Sequence, residues 1–252
     1  MLKGLYAAAT GLMAIEQRQA IIANNISNAA TAGFRRQEPV QKGFRGVFLD
    51  RVARPGVLRG ESVPGGGALF VETFTDTQRG AITTTGDPLT VALEGPGFLV
   101  VDTPRGERFT RGGNLAIDTT GQLSTPDGYK ILGAGGTPLS VGGGKLSISE
   151  GGAVYEDGQE AGQLRVVEFE DEHMLTREGE GLYRASDAAM ARSADATRTR
   201  VLHESLEMSN VNLPNEMIAM ILGLRAYEAN QKYINTIDET MGRLIDQVGM
   251  GG

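Results

Sequence analysis

Side chains able to do chemistry are sparse in this sequence, and none stands in a working arrangement. The only histidines, His173 and His203, lie in a Glu-rich loop and ahead of the last helix, without the spacing of metal ligands or of a base beside a nucleophile. There is no cysteine, which removes thiolate nucleophiles, thiolate metal sites and disulfides together. Gly142-Gly143-Gly144-Lys145 has the glycines and lysine of a phosphate-binding loop, yet Leu146 stands where Ser or Thr must hold the metal, and the upstream glycine is missing. Glu168, Glu170, Asp171 and Glu172 cluster at a strand end, where such charges form a solvated turn more often than a catalytic pair or calcium site. The expectation is therefore no enzyme, no cofactor, no metal and no small-molecule substrate.

The balance of charge narrows the partners. A formal net charge of -7 and a pI near 5.0 oppose a broad grip on nucleic acid. No run of about 18 apolar residues occurs, so no membrane insertion is expected. Met1-Leu2-Lys3-Gly4-Leu5-Tyr6 leads into Thr10, Glu16, Gln17, Arg18 and Gln19 and lacks the apolar core of a secretory signal. The absence of cysteine is compatible with an extracytoplasmic destination. With 252 residues, 40% of them hydrophobic, the chain suits one moderate domain with appendages.

The elements follow from periodicity. Leu5, Ala8, Leu12, Ile15, Gln19, Ile22 and Ile26 step by three and four, the rhythm of one helix face. Such a stripe, on the order of 30 Å long at ~1.5 Å per residue, needs a partner to bury it. Leu213, Met217, Met220, Leu224, Tyr227, Gln231, Ile234, Asp238, Met241, Ile245 and Val248 keep the same rhythm near the end of the chain. Gln231 and Asp238 interrupt that seam and would set register or meet a polar partner, while Pro214 and Glu216 suit a helix's first turn. Ile218, Ile221, Ile237 and Leu244 add a second stripe for neighbouring molecules. Gly11, Gly223 and Gly242 inside these helices mark either close helix approach or simple tolerance.

Between the helices the pattern turns to strands. Leu89 to Leu93 and Phe98 to Val101 are short apolar runs, alternation recurs at Leu115 and Ile117, at Leu146 and Ile148 and through Gln163 to Phe169, and Thr120-Gly121, Asp127-Gly128 and Asp157-Gly158 carry turn chemistry. Residues 35–81, with Phe44, Phe48, Gly65-Gly66-Gly67, Phe70 and Phe74, show no period and read as an extended connector. The expected fold is α+β: N- and C-terminal helices forming a coiled-coil stalk, plus a central, mostly antiparallel β domain. Its predicted divisions are 1–34, 35–81, 82–200 and 201–252.

Three blocks carry a family resemblance. Ala23-Asn24-Asn25-Ile26-Ser27-Asn28 followed by Thr31, Gly33, Phe34, Arg35 and Arg36 resembles the N-terminal signature of flagellar rod and hook proteins. Gly86-Asp87-Pro88-Leu89 through Val101, then Phe109-Thr110-Arg111-Gly112-Gly113-Asn114, is similar to the opening of that family's β domain. Leu206-Glu207-Met208-Ser209-Asn210-Val211-Asn212 and Arg225-Ala226-Tyr227-Glu228-Ala229-Asn230 resemble its C-terminal helix block. Length and a compact β domain make the proximal-rod kind the nearest type, with distal-rod or hook-type axial proteins next.

The resemblance implies a structural, torque-transmitting subunit of the bacterial basal body. It would be exported unfolded by the flagellar type III apparatus and stacked helically with other rod and hook-basal-body subunits, in the periplasm or cell envelope. The expected assembly interface comprises Leu5, Leu12, Ile15, Ile22, Ile26, Asn24, Asn25, Asn28, Thr31, Gly33 and Phe34 at one end. At the other it comprises Leu213, Met217, Met220, Leu224, Tyr227, Ile234, Met241 and Ile245. Asn24, Asn25 and Asn28 have two readings, helix capping or bonds across subunits, and Gly33 permits a backbone conformation closed to other residues. The competing function is a non-enzymatic adaptor whose helices dock one partner.

Limited proteolysis of the purified monomer tests this organisation: the ends should be cut first and the β region last, and ends as resistant as the middle would contradict it.

Overall fold

The computed structural model describes residues 2–43, 68–142, 144–190 and 192–249. It is α+β, with an N-terminal helix, a β-rich centre and a C-terminal helix. The chain forms two compact units, one drawn from Met1–Ser27, Gln37–Asp76 and Asn212–Gly252, the other from Asn28–Arg36 and Thr77–Val211.

In the first unit the helices Leu2–Ser27 and Leu213–Gly249 lie side by side and antiparallel: Gly4 adjoins Tyr233 and Ile237, Gly11 adjoins Asn230, and Gln19 adjoins Gly223. Asn212 starts the second helix, its side-chain oxygen accepting from the Asn215 amide at 3.1 Å and its carbonyl from the Glu216 amide at 3.1 Å. Small residues let the helices approach, since Ala8 and Ala14 are buried along with Ile22. Beside them, Gln37–Gly43 pairs with Ala68–Thr75 as an antiparallel ribbon whose register shifts between Val40 and Gln41. So two ends of the expected connector are strands; Phe44, Phe48 and Gly65-Gly66-Gly67 lie outside the described residues.

The second unit is built from antiparallel strands. The strand Gly97–Thr103 is central, pairing with Gly106–Thr110, Lys130–Ile131 and Val166–Phe169. Its apolar run is continuous because both faces are covered: Leu99 and Val101 join one core with Leu93, Leu123, Ile131, Val154 and Leu164, while Phe98 and Val100 join another with Phe109, Phe169 and Tyr183. In the second core Phe109 meets Phe169 edge-on at 4.8 Å and Phe98 meets Tyr183 at 5.5 Å, a geometry that adds about 0.5–1.5 kcal/mol per pair beyond burial. Asp157 (φ 48°) and Gly158 (φ 84°) turn the hairpin Ala153–Glu156 to Gln159–Gln163, as an Asp-Gly loop requires. Strand structure runs on through Arg200–His203, paired with Val91–Glu94, and Ser205–Glu207, paired with Ile82–Thr84.

Carboxylates tie the sheet's margins. Glu178 accepts from Arg108 Nε at 2.8 Å and faces Arg184 at 3.3 Å, and these cations hold its carboxyl below the ordinary glutamate range. Burial pushes the Glu168 carboxyl upward, but the Thr199 hydroxyl at 2.7 Å and the Arg198 amide at 2.8 Å outweigh it and leave that group below its ordinary value too. Both groups are lower in the folded than in the unfolded chain, so their stabilisation is complete above an unfolded value of about 4.3 and is lost as pH falls through the native values. Thermal melts should therefore hold level from neutral pH to about 5.5 and drop below about 4.5, with a shallower drop for Glu178→Gln. An unchanged acid limb in that variant would contradict the assignment.

Candidate functional site

Chemistry at a site needs convergent groups, and the convergence here is structural. In the β unit the segment after the first helix threads inward. Gly33, at φ 65°, donates its amide to the Glu207 carbonyl at 2.8 Å, and a Cβ at Gly33 would overlap the Arg111 carbonyl. Phe34 is buried, with the Arg177 guanidinium 4.0 Å from its ring centre, and burial lowers the pKa of that guanidinium. Asn210 closes the segment: its amide donates to the Phe34 carbonyl at 3.3 Å and its side-chain oxygen accepts from the Arg36 amide at 2.6 Å.

At the centre one carboxylate serves two cations. Glu207 lies 2.8 Å from Arg35 and 3.4 Å from Arg111, all three side chains being under 5% exposed. Arg111 also donates to the Gly95 carbonyl at 2.9 Å, approaches Glu172 at 3.7 Å and sits 4.7 Å above the Phe98 ring. Arg35 donates to the carbonyls of Thr77, at 2.9 Å, and Gln78, and the Gly80 amide donates to Glu207 at 3.3 Å. Burial, then the charge of Arg35, pulls the Arg111 pKa down, and Glu207 and Glu172 oppose that fall. The arrangement fixes backbone; it offers no nucleophile or open coordination position.

The helical unit has its own polar centre. Buried Asn25 donates to the Gln37 carbonyl at 2.9 Å and to Glu216 at 3.3 Å, and accepts from the Gln37 amide at 3.0 Å. Gln19 donates to the Met220 carbonyl at 2.9 Å, and a Cβ on Gly223 would strike that amide group. The three helix glycines thus separate: Gly223 sits under the Gln19 contact, Gly11 has Asn230 at an ordinary 3.8 Å, and Gly242 has open space.

The expected interface residues divide accordingly. Ile22 and Asn25 are buried, and Leu5, Leu12, Ile15 and Ile26 are half-buried; Asn24 is exposed. Asn28 and Thr31 form a turn, Thr31 donating its amide to the Asn28 carbonyl at 3.1 Å, while Gly33 and Phe34 belong to the buried cluster. On the second helix Met220, Ile234 and Met241 are half-buried, whereas Leu213, Met217, Leu224 and Tyr227 are exposed, as are Gln231 and Asp238. The Ile245 side chain lies outside the described ones. Of the second stripe, Ile218 and Ile221 are exposed and Ile237 is half-buried.

Other candidates resolve into local structure. The Gly142 and Gly144 amides hold the carboxylate of Glu156 at 2.8 and 2.7 Å, so the glycine-rich loop binds an anion of its own chain. Glu156 is correspondingly more acidic than usual, the Gly142 bond being the main cause. The acidic cluster disperses: Glu168 holds Thr199 and Arg198, Glu170 meets Arg192, Asp171 caps a short 3-10 turn, and Glu172 faces Arg111. Sequence reading missed the Arg35–Glu207–Arg111 cluster and the Asn25–Glu216 contact. The available signal was charge inside apolar surroundings, Arg111 among turn residues and Glu207 between Leu206 and Met208.

Comparison with known proteins matches three family profiles: Flagella basal body rod protein over residues 5–35, Flagellar hook protein FlgE/F/G D1 domain over 92–156, and Flagellar basal body rod FlgEFG protein C-terminal over 203–247. The chain is 32% identical to the flagellar basal-body rod protein FlgG of Bacillus subtilis, across 98% of this chain and 99% of that one. FlgG of Caulobacter vibrioides is likewise 32% identical, over 95% and 97% of the two chains. The flagellar basal-body rod protein FlgF of Rhizobium meliloti is 29% identical over 99% of each.

Glycine substitutions test both polar centres. Gly33→Ala should lower β-unit stability by about 2 kcal/mol or more, because the left-handed backbone and the Arg111 carbonyl both exclude a methyl group. Gly223→Ala should loosen the helix pair despite its better helix propensity, while Gly242→Ala should gain up to about 1 kcal/mol. Thermal melts followed by circular dichroism read all three, and equal gains at 223 and 242 would refute the Gln19 contact.

Proposed function

The chain belongs to the flagellar basal-body rod protein family, and on that premise we propose how its own residues make it a rod subunit. As a member of a structural family it builds the basal body with other rod and hook subunits. The finer reading is a proximal-rod subunit, exported through the flagellar type III apparatus to the cell envelope, whose terminal helices act as a coiled-coil stalk and carry torque.

One observation supports this above the others. Met217, Ile218, Ile221, Leu222 and Leu224 are each more than half exposed on the second helix although all are apolar, and Met13 is exposed on the first. A helix pair whose joint face is fixed by Gln19, Asn25 and small residues leaves this surface for other molecules. Burying such a side chain contributes ~1.5–3 kcal/mol, so five of them repeated along an open helical stack offset the entropy of ordering the ends. A head-to-tail contact that does not close into a ring gives such a stack. The expected interface residues that face outward, Leu213, Met217, Leu224 and Tyr227, take the inter-subunit role; Ile22, Asn25, Gly33 and Phe34 hold the subunit in shape.

Leu224→Asp should abolish incorporation into basal bodies while leaving the melt of the β unit unchanged. Quantifying the chain in isolated basal bodies is the check, and recovery at the wild-type level would defeat the reading.

A further inference from the structure

Around the turn Glu94-Gly95-Pro96 the β unit carries a cavity of about 440 Å³ walled also by Arg79, Arg198 and Arg200. Pro96 is its one apolar side chain, so the cavity does not suit an apolar ligand, which needs mostly hydrophobic walls. Arg198 is fixed in the wall, its Nε 3.1 Å from the buried Glu168 carboxylate. Arg79 and Arg200 are exposed and have no ion-pair partner among the described residues. Glu94 stands opposite Arg200 in the strand ladder without closing to ion-pair distance, leaving two unpaired guanidiniums against one carboxylate. Guanidinium forks favour carboxylates in paired, planar contacts.

From this we infer that the cavity is a docking site for an acidic peptide segment of a neighbouring axial subunit. The charge balance supplies the complementarity: with 31 acidic against 24 basic residues, the chain is acidic as a whole, and the cleft, with three arginines to one glutamate, runs against that balance. The identity of the occupant rests on the rod reading, which provides neighbours; the carboxylate chemistry does not. The contact supplies orientation and on-rate to a stack whose affinity comes from the apolar helix face.

The test uses the full chain and a fluorescent hexaglutamate peptide at low salt. Saturable binding is expected, weakened at least tenfold in Arg79→Ala/Arg200→Ala and unchanged in Arg105→Ala/Arg184→Ala, which removes two exposed arginines elsewhere on the same unit. No saturable binding, equal loss in both double variants, or equal displacement by inorganic phosphate would overturn the inference. In cells, Arg79→Glu/Arg200→Glu should reduce recovery in basal bodies severalfold with an unchanged melting temperature. Wild-type recovery of that variant would overturn the docking role and leave the helix-driven assembly standing.

Discussion

A buried carboxylate shared by two guanidiniums is the constraint on which the β unit rests. The Glu207 carboxylate offsets the buried charges of Arg35 and Arg111, and removing it would leave Arg35 without an ion-pair partner among the described residues and Arg111 with only Glu172 at 3.7 Å. Because Arg35 follows the first helix while Glu207 precedes the second, the cluster ties segments far apart in the sequence into one β unit. Further donors of the two arginines reach the carbonyls of Thr77, Gln78 and Gly95, which extends the requirement to the turns that carry them.

The helical unit solves a related problem differently. Its helices are joined through Gln19 and Asn25 and through small residues, which fix register by directional bonds where a purely apolar seam would permit sliding. On the second helix Met217, Ile218, Ile221, Leu222 and Leu224 stay on the outer surface, while Met220, Ile234 and Met241 are half-buried. In the proposed rod role, the polar contacts would set the register of the helix pair and the exposed apolar side chains would be left for neighbouring subunits. The acidic surface and the arginine-lined cleft add a charged layer to the same logic.

Both long helices were legible from their three-and-four rhythm, and the central strands from alternation and turn residues. The uninterrupted run Phe98 to Val101 reads as a strand buried on both faces once its flanking turns are noticed. Local pattern could not select the inward face of the second helix, because Leu224 and Ile234 are equally apolar and the choice is made by contacts between distant residues: Gln19 with Met220 and Gly223, Asn25 with Glu216, and Gly4 with Tyr233. The ribbon formed by Gln37–Gly43 was invisible for want of alternation, its pairing being set by distant Ala68–Thr75. Nor does any local rule couple Arg35 to Glu207, since the bond exists only after the β unit closes.

The family blocks marked where constraint is concentrated without stating its nature. Gly33 and Phe34, expected at an interface, work inside the β unit, where a left-handed backbone and an aromatic ring under a guanidinium bring Arg35 to its partner.

A double-mutant cycle on Arg35→Met and Glu207→Leu, read by denaturant unfolding, measures the central claim directly. Glu207→Leu should cost about 3–5 kcal/mol by leaving two buried guanidiniums without their carboxylate, Arg35→Met should cost less because Arg111 still faces Glu207, and the pair should lose less than the sum, with an interaction energy of about 1–3 kcal/mol. Losses that simply add, within about 0.5 kcal/mol, would contradict a shared ionic centre.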